Sequence, residues 1–163
     1  MKIKAVIAAL LLSIAVMPKI HAFGVGAQLN FSAGDLLAPG ASLLISPADY
    51  FHLAFNWYLD FDKVNTVGIT ADLSPLVLPI TTFGAGSFNF TLGAGLFGNI
   101  VFKSDPDFNW GLRIPAGFNV LLGRSAFEIF TYVAPSFKVR FLPKLGLYEP
   151  FFPIALGARL WIR

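Results

Sequence analysis

Six titratable or charged side chains past the first twenty residues stand where they could do chemistry: His52, Asp72, Arg113, Glu128, Lys138 and Arg159. Each lies on the small-residue side of a run in which bulky apolar residues alternate with small or polar ones. Glu128 follows Ser125, in a turn signal, by three residues, and Arg159 precedes the C-terminal Arg163 by four. On adjacent antiparallel strands these two would meet near one end of the molecule. The expectation is an ion pair between Glu128 and Arg159 inside a barrel lumen, with Arg113, Lys138 and Asp72 at other levels. A buried charge needs a partner, and breaking such a pair costs about 3–5 kcal/mol. The pair could gate ions or serve as a structural plug, and the plug is the favoured reading.

The remaining candidates lead away from catalysis. His52 is the only histidine past residue 22, with Asp72 expected across a hairpin from it. One histidine cannot build a two-histidine zinc site, and a hydrolytic triad needs a nucleophile in reach, which no serine supplies in sequence. Gly93-Ala94-Gly95-Leu96-Phe97-Gly98 spells the dinucleotide-binding pattern, but that pattern must leave a strand and open a helix, whereas this one sits inside an alternating run. Those glycines are read as lumen-facing or closely packed positions. With no cysteine there is neither a disulfide framework nor a thiolate metal site. No catalytic, cofactor-binding or metal-binding residue is expected, and the chain is not expected to be an enzyme.

The elements that must position the charges announce themselves by composition. Hydrophobic residues make up 56% of the chain and charged residues 13%, about half the charge of an average soluble domain. Such a surface needs a cover other than water. Of 12 Lys+Arg, Lys2, Lys4 and Lys19 fall in the first twenty residues, which leaves nine against nine Asp+Glu, so no basic patch points to nucleic acid. Lys2 and Lys4 precede the apolar run Ala5–Val16, and Ala22 stands at a plausible cut site. That is the form of a cleaved signal peptide over residues 1–22, the run being too short for a membrane helix of about 20 residues.

Past residue 22 the apolar repeat has the period of two expected of strands. Eight strands are predicted: Phe23–Ser32, Ala41–Ile45, Phe51–Phe61, Thr66–Leu73, Phe88–Leu96, Trp110–Val120, Ala126–Val139 and Phe151–Ile162. Turn signals separate them at Ala33–Gly40, Ser46–Asp49, Asp62–Asn65, Ser104–Asn109, Gly123–Ser125 and Pro143–Pro150, while Pro75–Gly86 carries signals of both strand and turn. Pro115, Pro135 and Pro153 fall inside predicted strands and demand bulges or broken pairing, with Pro115 and Pro135 at similar depth. The non-apolar face is Gly, Ala, Ser, Thr and Asn, too small and uncharged for a soluble surface but suited to the cramped lumen of an eight-stranded barrel. The expected fold is therefore all-β, an eight-stranded antiparallel up-and-down transmembrane β-barrel over residues 23–163, its bulky face in lipid. Aromatics such as Trp57 and Trp110 towards one set of turns, and Tyr50, Phe51, Phe127 and Trp161 towards the other, are expected to form two girdles.

Several short pieces carry a family likeness: Phe23-Gly24-Val25-Gly26-Ala27, Leu92–Phe97, Arg113–Asn119, Glu128-Ile129-Phe130 with Val133–Ser136, and Ala155–Arg159. The chain resembles the small eight-stranded outer-membrane barrels of the OmpA-domain, OmpX and OmpW type, and most closely a largely uncharacterised spirochaetal family of them. Gly157, Leu160 and Ile162 resemble the last-strand signal read by the barrel-assembly machinery, although the chain finishes Trp161-Ile162-Arg163 rather than on Phe or Trp. The resemblance implies outer-membrane lipid as surroundings, and periplasmic chaperones and the assembly machinery as partners during biogenesis. It also implies a structural or surface-interaction role, with host proteins as partners of the outer loops in some relatives. The alternative it offers is a narrow channel or conduit for small hydrophobic solutes.

Overall fold

The structure, a computed structural model, describes residues 22–33, 39–59, 65–102, 106–140 and 146–162. The predicted leader falls outside the described residues except for Ala22, as do the segments 34–38, 60–64, 103–105 and 141–145. Ten strands follow in order: β1 (Phe23–Ala33), β2 (Gly40–Ala48), β3 (Phe51–Leu59), β4 (Asn65–Phe83), β5 (Gly86–Phe102), β6 (Asp107–Arg113), β7 (Ala116–Leu122), β8 (Phe127–Val133), β9 (Ser136–Arg140) and β10 (Gly146–Ile162). All pairings are antiparallel, and β1 pairs with β10 from Phe23↔Ile162 to Ala33↔Phe152, which closes the sheet on itself.

Ten strands make eight staves. β6 and β7 lie end to end along β5, and β9 and β8 lie end to end along β10, so each couple is one stave interrupted once. The interruptions are Ile114-Pro115 and Ala134-Pro135, where the missing proline N–H breaks the ladder. They sit on one level of neighbouring staves, and the proline carbonyls stay in use. Pro115 accepts from the Gly93 N–H at 2.8 Å, Pro135 from Ile114 at 2.9 Å and Pro153 from Ala134 at 2.8 Å. Pro153 itself leaves β10 unbroken.

Following hydrogen-bonded neighbours from Ser87 through Leu121, Glu128, Arg159, Gly26, Leu44, Ala54 and Thr70 returns to β5 at Phe97, ten residues along. That stagger tilts the staves and fixes a barrel narrow enough for side chains to fill. The Phe23 end of β1 and the Ile162 end of β10 share one rim with the turns at Asp49-Tyr50, Gly84-Ala85 and Gly123–Ala126; the strand ends Ala33, Gly40, Leu59, Asn65, Phe102, Asp107, Arg140 and Gly146 make up the other, the loop rim. Gly123, Arg124 and Ser125 take left-handed φ of 60°, 59° and 68° in the last of these turns.

Several boundaries differ from the sequence reading: β2 runs on to Ala48 through a predicted turn, and β5 spans Gly86–Phe102 rather than Phe88–Leu96. Pro75–Gly86 is strand as far as Phe83, with the turn at Gly84-Ala85. β6 starts at Asp107 and β10 at Gly146, inside segments read as turns, because a tilted stave runs past its local Gly and Pro signals, at the cost of a bulge between Tyr148 and Pro150. The second half of β4 is unusual. Leu76–Phe83 pairs with β5 alone, since β3 has already turned back; the last bond across that seam is Ser74 N–H to Tyr50 O at 2.7 Å. From Pro75 to Ala85 every residue is exposed, so this arm of the hairpin is an uncovered edge, whereas its β5 arm stays paired with β7 and its turn bonds the next one through Arg124 N–H to Ala85 O at 3.1 Å.

The two faces are segregated as the alternation predicts. Leu43 is 68% exposed and Trp57 59%, on the outside, while Gln28, Ser42, Asn56, Arg113, Glu128 and Arg159 are buried inside. No helix among the described residues is long and apolar enough to cross a membrane, a test that strands do not enter.

Candidate functional site: the filled lumen

Near the terminal rim the register sets Arg159 directly opposite Glu128. Arg159 Nη1 donates to Glu128 Oε2 at 3.3 Å, Trp161 Nε1 donates to the same oxygen at 2.7 Å, and Asn119 Nδ2 donates to Oε1 at 2.8 Å. Asn89 Nδ2 in turn reaches Asn119 Oδ1 at 2.8 Å and Ser87 Oγ at 3.1 Å. A buried carboxylate is thus met by three donors, two of them from β10 at the i and i+2 positions that face inward. Arg159 Nη1 also donates to His52 Nδ1 at 3.0 Å. A guanidinium has no acceptor, so that ring nitrogen carries no proton and His52 is neutral with its N–H on Nε2.

A second level holds Arg113 Nε 3.2 Å from Asp72 Oδ1, both buried. The two levels are joined by stacking. Arg159 lies 5.0 Å over the Phe130 ring and 5.1 Å over Trp161; Phe130 stacks on Tyr132 at 6.0 Å, and Arg113 lies 5.4 Å over Tyr132. Two guanidiniums are therefore held over a column of rings, which orders them, while Asp72 and Glu128 balance their charge. Beside the column, Tyr132 Oη donates to Gln28 Oε1 at 3.1 Å, Gln28 to Asn30 at 2.7 Å, Asn30 to Ser42, and Ser42 to Asn56 at 2.7 Å. Towards the loop rim Phe97 meets Phe151 edge to face at 5.2 Å, with Tyr58, Thr66 and Asn99 buried around them.

The structure brings Glu128 and Arg159 together and places Arg113 with Asp72; Lys138 lies on β9 opposite Gly111 and has partners of its own. Of the last-strand residues, Gly157 packs inward against Phe130 and Gln28, whereas Leu160 and Ile162 point outward at 56% and 65% exposure. Trp161 corrects the girdle expectation, being buried in the lumen as a donor to Glu128. Its parity with Arg159 was the signal that could have found it. The glycine-rich run is also split: Gly93 and Gly95 press against Ser74 and Asp72, while Gly98 faces outward to Phe108.

A serine does come into reach of His52, contrary to the sequence reading: Ser46 Oγ lies 3.0 Å from Nδ1, brought there by the tight β2–β3 turn. Ser46 is fully buried, and the nitrogen that would take its proton is already held by Arg159. That geometry is a clamp on the ring rather than an activated nucleophile. No group of three or more metal-ligating side chains occurs among the described residues.

No protein-family model matches the sequence, and no curated protein does. Solved structures do resemble the fold. The N-terminal β-barrel domain of OprF from Pseudomonas aeruginosa is similar at TM-score 0.54 and 19% identity, over 88% of this chain and 98% of that one. Neisserial surface protein A aligns at TM-score 0.47 and 13% identity, over 86% and 95%. Ail, the attachment invasion locus protein of Yersinia pestis, aligns at TM-score 0.36 and 14% identity, over 86% and 95%. The likeness to OprF shows the fold, an all-β barrel of the type found among outer-membrane proteins.

Proposed function

We propose that this chain is an integral outer-membrane β-barrel with a structural role, its termini in the periplasm and its longer connections at the cell surface. The observation that carries this is the inversion of the usual order: large apolar side chains cover the outside, and Asn, Gln, Arg, Asp and Glu fill the inside. Charges buried in ion pairs and an apolar exterior suit a barrel surrounded by hydrocarbon. The structural reading draws support from the Phe97–Phe151 plug and the Gln28–Asn56 chain, which fill the lumen where a conduit would need space. A surface-interaction role with host proteins would fall to the connections at the loop rim. Leu160 and Ile162, outward on the last strand, are open to a barrel-assembly partner, with Gly157 as the small residue of that signal.

The test is expression of the full sequence in a Gram-negative host. The expected results are recovery in the outer-membrane fraction, an N-terminus at Phe23 after export, and a mobility shift between unheated and boiled gel samples. Planar bilayers should show no discrete conductance. Recovery in a soluble fraction without detergent would overturn the membrane reading, and reproducible openings would overturn the structural one in favour of a channel.

A further inference from the structure

Below the plug the lumen is not full. A cavity of about 190 Å³ occupies its terminal half. The walls are mainly apolar, with Leu44, Ala54, Leu121, Phe130 and Trp161 along its depth, and His52, Thr91 and Tyr132 supply polar edges. Asp49 and Ser74 stand on the two sides of the point where the β3–β4 seam ends, and Val77 belongs to the unpaired half of β4. All three line the cavity, so it opens beside that seam at the terminal rim and is blocked at the other end by Phe97 and Phe151.

We propose that this dead-end cavity is a binding site for a small neutral amphiphile, a single ring or short chain bearing one hydrogen-bonding group. Size sets the first limit. A cavity of about 150 Å³ takes a benzene ring, so this one admits a ring with a small substituent and little more. Charge sets the second. The ionised groups along its depth close on one another: Glu128 takes Arg159, Trp161 and Asn119, and Asp72 takes Arg113. Asp72 Oδ1, Arg113 Nε and Arg159 Nε keep no hydrogen bond of their own, but each belongs to a side chain whose charge is already paired, so a charged guest would enter a low-dielectric space with no unpaired counter-ion, an unfavourable exchange for its hydration. A neutral guest finds apolar walls and a few fixed polar edges, the usual make-up of a small-molecule pocket. The rigid column of rings holds the cavity open instead of letting the side chains collapse into it.

The proposal rests on the reading of the chain as a membrane barrel and extends it to a ligand. Its test uses 4-bromophenol, whose bromine quenches tryptophan on contact, and the full-length protein expressed with export and reconstituted in nanodiscs. In a background with Trp57→Phe and Trp110→Phe, Trp161 remains as the reporter on the cavity wall. Quenching should saturate, and 4-bromobenzoate, charged at neutral pH, should give no saturable quenching. Ala54→Phe fills the cavity, and Val77→Phe, on the exposed β4 edge, narrows the mouth without disturbing the core; each should weaken 4-bromophenol binding tenfold or more. Quenching that rises linearly with concentration, equal response to the benzoate, or unchanged affinity in both variants would overturn the site. The gel mobility shift is read on the same samples, so a failure of the barrel shows there and a failure of the site shows in the titration.

Discussion

The loop half and the terminal half of this barrel solve one problem in opposite ways. In the loop half every described stave has a neighbour on both sides, and the lumen is packed with Phe97, Phe151, Tyr58 and Asn99. In the terminal half β4 loses its β3 partner at Tyr50, its stretch from Pro75 to Phe83 forms an exposed edge, and a cavity persists beside the salt-bridged side chains. Packing holds the first half; charge-assisted hydrogen bonds hold the second. The difference teaches that a narrow barrel can tolerate an open seam when its interior is cross-braced from several staves, here β3, β5, β7, β8 and β10 through His52, Asn89, Asn119, Glu128, Arg159 and Trp161.

The sharpest way to break that contrast is Glu128→Ala. It strips a buried guanidinium of its counter-ion and leaves two N–H donors unmatched, so unfolding from lipid vesicles in urea should show a loss of about 3–5 kcal/mol. An unchanged midpoint would mean that the brace contributes nothing. Phe97→Ala is the matching experiment in the loop half, with a loss of about 3–5 kcal/mol expected for a buried Phe. It should also raise the permeability of the lumen in planar bilayers, because it removes one side of the plug; a silent, equally stable variant would move the plug elsewhere. Next in size is a pair of charges on the outside. Leu43→Arg should cost about 2–4 kcal/mol if that surface lies in mid-bilayer, whereas Thr82→Arg on the exposed β4 edge at the terminal rim should cost less than about 1 kcal/mol. Equal costs would erase the distinction between the spanning wall and that edge. The smallest effect is expected at the interrupted staves: Pro135→Ala should change stability by less than about 1 kcal/mol, since the broken ladder is already compensated by the Pro135 carbonyl. A larger loss would show that the proline ring itself locks the register.

Much of this was legible in the sequence. Period-two alternation reports directly on which face a residue takes, and the inward set Gln28, Asn56, Arg113, Glu128 and Arg159 follows from it. The depth of Pro115 and Pro135 followed from counting back from shared turns. What resisted was whatever depends on geometry across the lumen. Ser46 meets His52 only because the β2–β3 turn is tight, and Trp161 reads as an interfacial aromatic until its parity with Arg159 is weighed against its bulk. The length of β4 was hidden for a different reason. From Leu73 to Phe102 the chain carries no charge, and its prolines imitate turn signals, so neither periodicity nor polarity marks where β3 stops covering β4.

Closure of the wall has a consequence for the order of assembly. β1 and β10 are about 140 residues apart in the chain where Phe23 meets Ile162, so the seam between them is the most non-local pairing in the molecule and the slowest kind to form. Glu128 finds Arg159 and Trp161 within the β8–β10 pairing, before that seam closes. What closure adds is Arg159 to His52 and Tyr132 to Gln28, contacts that tie β10 and β8 to β3 and β1 only once the two edges of the sheet have come round. The final strand thus works as a latch whose engagement shuts the cylinder and joins its two halves across the lumen, which makes a half-closed barrel a poor resting state.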